Sequence, residues 1–349
     1  MIPHLRGLLP EELPARVPGA GLSPTLARRV ANRVLAQYRD DLDGVSGLSK
    51  RATEALRAGT RVDRLALADR RASAVDPFVK YLFRAPDGRS FEAVRIPLEK
   101  PRFSVCVSSQ VGCALECAFC ETGRLGFTRN LEPWEMVDQV LAVRADSPER
   151  PVTGVVFQGQ GEPFQNYDNV LKACALLRHP CGPRIGADRI TISTVGLLPQ
   201  IERYVDEGHP YRLILSLTSA LPEKRAELLP VARRWPVPDL IAAMKRLAQR
   251  QRNLINIAWV LMGGVNDDPA EVRELARLLG GFPVRVSVID VNDPTGRYRR
   301  ATDAERDRFL SALAGHRLGF VRRYSGGPDI HAACGMLAST ARGGATLRP

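Results

Sequence analysis

Three cysteines in one short stretch carry the strongest chemical signal in the chain. Cys113, Cys117 and Cys120 are spaced four and three residues apart in Cys-Ala-Leu-Glu-Cys-Ala-Phe-Cys, so their thiols can reach one metal centre on a tight loop. Structural zinc normally takes four protein ligands, and a cubane iron–sulfur cluster is usually held by four thiolates. Because the motif supplies only three, it favours a [4Fe–4S] cluster with one iron left open for chemistry. The alternatives are a zinc site with a distant fourth ligand and three unrelated core cysteines.

Two other cysteines differ from the rest in their surroundings. A lone cysteine is usually a small buried hydrophobe. This interpretation suits Cys174, on the apolar face of the predicted helix 166–178, and Cys181, in a loop with Pro and Gly. Cys106 instead ends a predicted strand just before the three-cysteine loop. Cys334 lies far along the chain in Ala-Ala-Cys-Gly, and this flexible setting of small residues favours a reactive loop thiol.

A glycine-rich bend, Gly159-Gln-Gly-Glu-Pro163, follows an apolar strand pattern. Glycine lets the backbone approach a ligand closely. The carboxylate of Glu162 and free carbonyls at the bend could accept hydrogen bonds from an ammonium group. The alternative is a plain turn between a strand and a helix.

The elements that must position these motifs alternate between strand and helix from Phe103 onward. The predicted strands are 103–108, 152–157, 189–194, 211–218, 254–262 and 284–290. The predicted helices lie near 133–145, 166–178, 196–207, 238–250, 269–280 and 302–316. Such alternation predicts an α/β fold with a parallel sheet, here an open, partial (β/α)6 barrel. Sites then lie at the carboxyl ends of the strands, where the cysteine loop and the glycine-rich bend both fall.

Smaller units precede and follow this core. A helix capped by Ser23, with Pro24 at its first position, predicts a small helical accessory domain. Two alternating segments around the turn Ala85-Pro-Asp-Gly88 predict a linking β-hairpin. The predicted units are the helical domain at 1–75, the hairpin at 76–98, the core with its terminal cysteine segment at 99–340, and a tail at 341–349.

Charge and composition limit the class of protein. The 349 residues include 50 Lys and Arg against 38 Asp and Glu, a net charge of +12, and such a field favours a polyanionic partner, most simply RNA. Basic residues also outnumber acidic ones up to Arg71, so we expect this unit to dock RNA and its deletion to abolish only RNA modification.

No apolar run is long enough to span a bilayer, and the N-terminus lacks a secretory pattern. Seven cysteines, three in one metal-type loop, indicate a reducing, cytoplasmic location without a membrane partner.

In their order along the chain, the motifs resemble those of the RlmN/Cfr family of radical S-adenosylmethionine (SAM) methyltransferases, which act on adenine in RNA. The matching elements, from about residue 40 to residue 340, are KYLF, EAVRIP, CVSSQVGC with its two following cysteines, GQGEP, ISTVG, LSL, Val-Asn-Asp and DIHAACG. The resemblance implies a radical SAM barrel, a [4Fe–4S] cluster on the three-cysteine loop, and SAM bound to its open iron. The SAM contacts that it implies are Gly161, Glu162, Ser193, Ser216, Leu217, Thr218 and Asn292.

The same resemblance implies roles for the two unusual thiols. Adenine C2 is an sp² carbon without nucleophilic character, so ordinary methyl transfer from SAM cannot work there. The family chemistry uses two SAM molecules per turnover: one methylates the sulfur of Cys334, and the other yields a radical that removes hydrogen from that methyl group. The methylene radical adds to adenine, and Cys106 resolves the adduct, ending in a disulfide with Cys334. Glu92 matches the position of a proton acceptor, and an electron donor such as flavodoxin or ferredoxin is implied.

The sequence departs from the family in three places. The usual His of the fourth strand is Thr218, the Trp-Asn-Pro segment reads Val291-Asn-Asp-Pro294, and the Arg-Gly element before the terminal cysteine reads Ser325-Gly-Gly-Pro-Asp329. The thiols and the cluster motif remain, whereas the RNA-facing surroundings differ. These departures put the substrate in question rather than the type of reaction.

Three functions remain open at this point. The first is adenine C2 methylation of 23S ribosomal RNA and also transfer RNA. The second is the same chemistry at adenine C8, as in the Cfr branch, or a related radical SAM methylation of another substrate. The third is a non-catalytic RNA-binding module with a structural metal. Cys106 and Cys334 together disfavour the third, because a structural module needs neither.

Overall fold

A computed structural model of the chain describes residues 2–98 and 101–338, and the predicted tail at 341–349 lies outside the described residues. The strands are β1 Ala66–Ala72, β2 Val79–Arg84, β3 Ser90–Pro97, β4 Phe103–Val107, β5 Gln110–Gly112, β6 Phe127–Asn130, β7 Val152–Phe157, β8 Ile190–Thr194, β9 Arg212–Ser216, β10 Ile255–Leu261, β11 Val284–Asp290 and β12 Gly319–Arg323. The α-helices are α1 Leu13–Arg16, α2 Pro24–Leu35, α3 Lys50–Gly59, α4 Glu121–Arg124, α5 Pro133–Asp146, α6 Tyr167–Arg178, α7 Leu198–Glu207, α8 Pro222–Leu228, α9 Val237–Gln251, α10 Pro269–Leu279 and α11 Asp303–Gly315. Within residues 2–98 and 101–338, every helix is too short or too polar to cross a bilayer.

Ten of the strands form one sheet, and its parallel part is the core of the fold. The strand order is β1-β2-β3-β4-β7-β8-β9-β10-β11-β12. From β4 through β12 each neighbour in this order is parallel, while helix α5 packs on β4 and β7, α9 on β10 and α11 on β12. Since β1 and β12 are the outer strands, the sheet is open. The predicted α/β class with an open parallel sheet is confirmed.

All six predicted core strands are present, with ends that differ from the prediction by no more than about two residues. A seventh parallel strand, β12, was not predicted and pairs with β11. Its sequence, Gly-Phe-Val-Arg-Arg, lies mostly exposed at the edge of the sheet. An exposed edge strand needs no apolar alternation, so the hydrophobic pattern did not reveal it.

The segment predicted to be helical up to residue 75 ends in a strand. Strand β1 pairs antiparallel with β2, β2 with β3, and β3 with β4. The predicted hairpin is therefore strands β2 and β3, which together with β1 extend the core sheet beyond β4. Its turn is closed by Gly88 N–H, which donates to Ala85 O at 2.9 Å. Strand β1 was missed because it contains Asp69, Arg70 and Arg71 and lies on an exposed edge.

The helical part of the N-terminal unit packs directly on the core helix α5. Helix α2 begins as predicted, with the Ser23 hydroxyl accepting from Leu26 N–H, and buries its apolar face. Arg6 is fully buried, donates to the carbonyl of Val34 at 3.1 Å and lies 3.5 Å from the carboxylate of Asp138 on α5. The unit is thus joined to the core by a shared interior.

Candidate active site

One cavity collects most of the residues that sequence analysis proposed for function. It lies at the carboxyl ends of the parallel strands and is open to solvent at its mouth. Ten of the thirteen proposed residues line it: Cys106, Cys113, Cys117, Cys120, Gly161, Glu162, Ser193, Ser216, Asn292 and Cys334.

The three-cysteine loop follows β5 and presents all three thiols to the cavity. Burial raises the pKa of Cys113 to about 12 and also raises the pKa of Cys117 and Cys120. Without a metal, these thiols are therefore protonated, and only the positive charge of bound metal would hold them as thiolates.

The sequence leaves two kinds of metal site open, a zinc ion and an iron–sulfur cluster. Within residues 2–98 and 101–338, no group of three or more His, Cys, Asp or Glu side chains is placed to hold a single metal ion. Charges on Cys113 and Cys120 nevertheless act on Cys117, so the thiols are neighbours around one space. Three neighbouring thiols are a donor set that fits an iron–sulfur cluster held by thiolate ligands.

The glycine-rich bend after β7 is packed tightly against the connection between β4 and β5. A Cβ on Gly159 would lie 2.8 Å from the backbone nitrogen of Ser108. Gly161 has φ +93°, and a Cβ there would lie 2.5 Å from Cβ of Gln110. Only glycine fits either position, because any side chain would collide with backbone or with a buried neighbour. This close packing brings the next residue, Glu162, to the cavity wall.

The carboxylate of Glu162 is fixed by backbone donors. One oxygen accepts from Phe164 N–H at 2.9 Å and the other from Val195 N–H at 3.0 Å. Burial raises its pKa to about 7. A cation bound in the cavity would favour the ionised form, so the site is suited to an ammonium group.

Cys106 and Cys334 face the same cavity from opposite ends of the chain. Cys106 lies on β4 beside Val94 and Val156 of the adjacent strands. Burial raises its pKa to about 12, and a negative charge on Cys334 raises it further. Both cysteines line this one cavity. Both are free thiols, so the disulfide that the family resemblance implies is not supported by the structure.

The Cys334 segment is held against the three-cysteine loop by hydrogen bonds. Glu121 N–H donates to Gly335 O at 2.7 Å, and the Thr122 hydroxyl donates to Leu337 O at 2.8 Å. On its other side, the N–H of Cys334 donates to the hydroxyl of Ser325 at 2.8 Å. Ser325 belongs to the segment that departs from the family pattern, so this altered segment holds the backbone of Cys334 directly.

The mouth of the cavity carries an aromatic side chain that sequence analysis did not propose. Tyr324 is 67% exposed and lines the cavity. Its hydroxyl donates to Asp76 at 2.9 Å, and the same carboxylate oxygen accepts from Gly327 N–H at 2.7 Å. The available signal was the run Arg322-Arg-Tyr324 just before the terminal cysteine motif, because basic and aromatic residues together favour nucleic acid.

Asn292 reaches the cavity from the segment that replaces the family's Trp-Asn-Pro. Its amide donates to Asp290 O at 3.2 Å, and its side-chain oxygen accepts from Arg300. The neighbouring Asp293 lies 3.5 Å from Arg124 of helix α4, which follows the three-cysteine loop. The altered segment is therefore still tied to that loop.

Three proposed residues do not line the cavity. Glu92 is fully buried and forms an ion pair of 2.9 Å with Lys80, which also donates to the carbonyl of His331 at 3.3 Å. Leu217 and Thr218 are fully buried too. The chain turns at Thr218, where φ is +63°, a costly value for a β-branched residue. Only Ser216 of this strand end therefore contributes to the cavity.

Comparison with known proteins agrees with this geometry. Residues 107–279 match the Radical SAM superfamily. A probable RNA methyltransferase of Myxococcus xanthus is 45% identical over 99% of this chain and 96% of its own length. The dual-specificity RNA methyltransferase RlmN of Syntrophotalea carbinolica is 37% identical over 95% of this chain and 89% of its own. The crystal structure of a radical SAM methyltransferase from Sphaerobacter thermophilus is 36% identical and superposes with a TM-score of 0.90, covering 97% of this chain and all of the other.

Proposed function

Because this chain belongs to the RlmN family of radical SAM RNA methyltransferases, we propose that it methylates a ring carbon of adenine in RNA, and that this carbon is C2. The observation that carries the proposal is the meeting of Cys106, Cys334 and the three-cysteine loop in one cavity. An RNA-binding module would need only a basic surface. Two additional thiols beside a metal-type loop are explained by covalent chemistry on the substrate.

The residues of the cavity divide into two sets. Cys113, Cys117 and Cys120 would hold a [4Fe–4S] cluster, which with SAM supplies the radical that activates an unreactive C–H bond. Glu162 offers a carboxylate to the SAM ammonium group, and the remaining contacts proposed for SAM are Gly161, Ser193, Ser216 and Asn292. The backbone donors to Glu162 fix the orientation of its carboxylate, so little freedom is lost when SAM binds.

Cys334 would carry the methyl group to the adenine, and Cys106 would release the product. The Ser325 hydroxyl and the three-cysteine loop hold the Cys334 segment in place. Glu92 remains our proposed proton acceptor. Since it lies behind the cavity lining and beside Lys80, a proton would reach it only through an intervening group or a small shift of the Cys334 segment.

Nucleoside mass spectrometry of total RNA, in a strain with and without the gene, tests the position of methylation. We expect 2-methyladenosine in 23S ribosomal RNA, and in transfer RNA if the enzyme has dual specificity, to disappear in the deletion strain. It should return with the wild-type gene but not with a Cys334→Ala copy. Loss of 8-methyladenosine instead would establish the C8 reaction, and unchanged RNA nucleosides would contradict the proposed function.

RNA docking by the N-terminal unit is supported by a basic groove on α2. The groove combines guanidinium groups with hydroxyl and amide side chains, a set that contacts phosphates; its lining is Thr25, Arg28, Arg29, Asn32, Arg33, Gln37, Gly44, Val45 and Ser46. Arg28 and Arg29 are exposed. A target adenine must leave its stack to reach the cavity, so contacts beyond one nucleotide are needed to hold the RNA.

The structure refines how this surface should be tested. Deleting residues 1–71 would remove most of β1 from the sheet and take Arg6 away from Asp138. Loss of methylation by the truncated protein would then report lost packing as readily as lost RNA contact. Reversing exposed charges in the groove changes the electrostatic field and leaves the interior intact.

We expect the double substitution Arg28→Glu and Arg29→Glu to weaken RNA binding and RNA methylation while leaving reductive SAM cleavage unchanged. If each arginine contacts one phosphate, the slope of log affinity against log salt concentration falls by about one per arginine. Affinity measured at several salt concentrations, beside SAM cleavage on the same preparations, checks this.

The control is Arg273→Glu with Arg277→Glu, two exposed arginines of α10, a helix that packs on α9 and α11. This control makes the same change in net charge away from the groove. Equal loss of RNA affinity in both proteins would show that net charge, rather than the groove, attracts RNA. The rim around Arg322 and Arg323 would then be the better candidate for docking.

A further inference from the structure

Arg225, on the short helix α8, carries a buried guanidinium group that contacts two strand ends at the cavity. The residue is only 1% exposed. Its Nε donates to Leu217 O at 3.1 Å and its Nη2 to Val195 O at 2.5 Å. These two carbonyls follow strands β9 and β8, so one side chain connects the two strand ends that carry Ser216 and Ser193.

The positive charge of Arg225 has no carboxylate partner among residues 2–98 and 101–338, because no acidic side chain there lies within ion-pair distance. Burial lowers its pKa to about 10, and the charged group that opposes this effect is Cys117. The other deeply buried arginine, Arg6, differs in this respect, since it pairs with Asp40 and Asp138. A buried charge without a counter-ion is costly, so the charge of Arg225 requires an explanation.

Helix α8 is also attached to the three-cysteine loop itself. Ala118 N–H, inside that loop, donates to the carbonyl of Leu228 at 3.0 Å. The helix that carries the buried guanidinium is thereby fixed to the loop that presents the thiols. A negative charge that arrives at those thiols when metal binds would lie beside this cation.

We infer that Arg225 is a positioning residue for the metal centre, whose charge balances the thiolates of the iron–sulfur cluster and raises the reduction potential of the cluster. The inference rests on the cluster of the proposed function. A cubane with three thiolate ligands is net negative and becomes more so when reduced. A fixed cation in a low-dielectric interior therefore stabilises the reduced form more than the oxidised form. Charge and hydrogen bonding around a cluster are known determinants of its potential.

The test is a redox titration of reconstituted protein without RNA, followed by electron paramagnetic resonance, after iron and sulfide have been counted. Arg225→Gln removes the charge and keeps a hydrogen-bond donor. Arg225→Lys keeps the charge but loses the planar guanidinium group that donates to two carbonyls at once. The matched control is Arg144→Gln. Arg144 is a partly buried guanidinium that likewise donates to two carbonyls, of Leu35 and Ala36. Burial lowers its pKa as it does that of Arg225, but no cysteine acts on it.

We expect Arg225→Gln to shift the potential of the cluster to more negative values, Arg225→Lys to shift it less, and Arg144→Gln to leave it unchanged. Equal potentials in wild type and Arg225→Gln, with full iron content, would overturn the inference. Equal shifts in Arg225→Gln and Arg225→Lys would also overturn it, since the charge would then not be the cause.

Loss of the cluster on substitution is informative as well. Iron uptake by Arg225→Lys but not by Arg225→Gln would support a requirement for charge. Failure of both, with wild-type circular dichroism of the metal-free proteins, would show that the hydrogen bonds to Val195 and Leu217 matter instead, and the inference would fail. A wild-type protein that binds no iron would overturn the proposed function itself, which keeps the two failures distinguishable.

Discussion

Replacing Cys334 with alanine is expected to abolish RNA methylation while reductive cleavage of SAM continues. The thiol lines the same cavity as the three-cysteine loop, but it is not one of the proposed cluster ligands, so the metal centre should assemble normally. Without the sulfur, no methyl group is delivered to the adenine. Removal of a covalent nucleophile lowers turnover by a factor on the order of 10⁴ or more in well-studied enzymes. Methylation of an RNA fragment and formation of 5′-deoxyadenosine, assayed on the same preparation, check the expectation.

Peptide mass spectrometry of the wild-type protein adds a direct observation of the intermediate. Protein from SAM-replete cells should carry one added CH₂ on Cys334 and none on Cys106. The matched control is Cys181→Ala, which removes a partly exposed thiol outside the cavity and should leave both assays unchanged. A methyl group found on Cys106 would reverse the two assignments, and full methylation activity in Cys334→Ala would remove the thiol from the mechanism.

The core of the fold was predictable because its residues obey local rules. The parallel strands are rich in buried Val, Ile and Leu, and the helices between them have clear starts, such as Pro133 and Pro269. Strand ends of a parallel sheet meet at one edge, so the position of each motif in the alternation already placed the cysteine loop beside the glycine-rich bend. This explains the proposed residues at the strand ends, whereas Cys334 reaches the cavity from a segment beyond β12.

The features that were missed depend on contacts between distant segments. Strands β1 and β12 are exposed edges whose polar residues carry no strand pattern. The sequence around Arg225, Lys-Arg-Ala-Glu, contains an acidic residue, and yet no carboxylate pairs with this arginine among the described residues. An acidic neighbour in sequence need not be a neighbour in space. Likewise, motif matching predicts that Leu217 and Thr218 contact SAM together with Ser216. The structure instead buries Leu217 and Thr218, because the chain turns at Thr218.

Replacing Cys106 with alanine is expected to stall the reaction after the adenine has been joined to Cys334. In the proposed sequence the Cys106 thiolate attacks the Cys334 sulfur that carries the adduct and forms an S–S bond. The S–C bond breaks, and its electron pair and a proton go to the carbon, which becomes the methyl group of the base. Alanine cannot make this attack, so protein and RNA should remain covalently linked. The apolar contacts of Cys106 with Val94 and Val156 tolerate alanine at the cost of a small cavity, so the protein should still fold and load its metal centre.

Denaturing gel electrophoresis with labelled RNA measures the linkage, and digestion followed by mass spectrometry locates it. We expect a protein–RNA band in Cys106→Ala, its absence in the double substitution Cys106→Ala with Cys334→Ala, and methylated RNA product below detection in both. Cys174→Ala is the matched control, because Cys174 is fully buried on α6 and lies outside the cavity lining. This variant should turn over without accumulating a protein–RNA band.

Because burial raises the pKa of Cys106 to about 12 when the metal centre and RNA are absent, the attack requires a base to take its proton. The linked species in wild-type protein should therefore persist longer at low pH. A Cys106→Ala enzyme that turns over freely and leaves no linked RNA would remove this thiol from the resolution step and assign it to packing on β4.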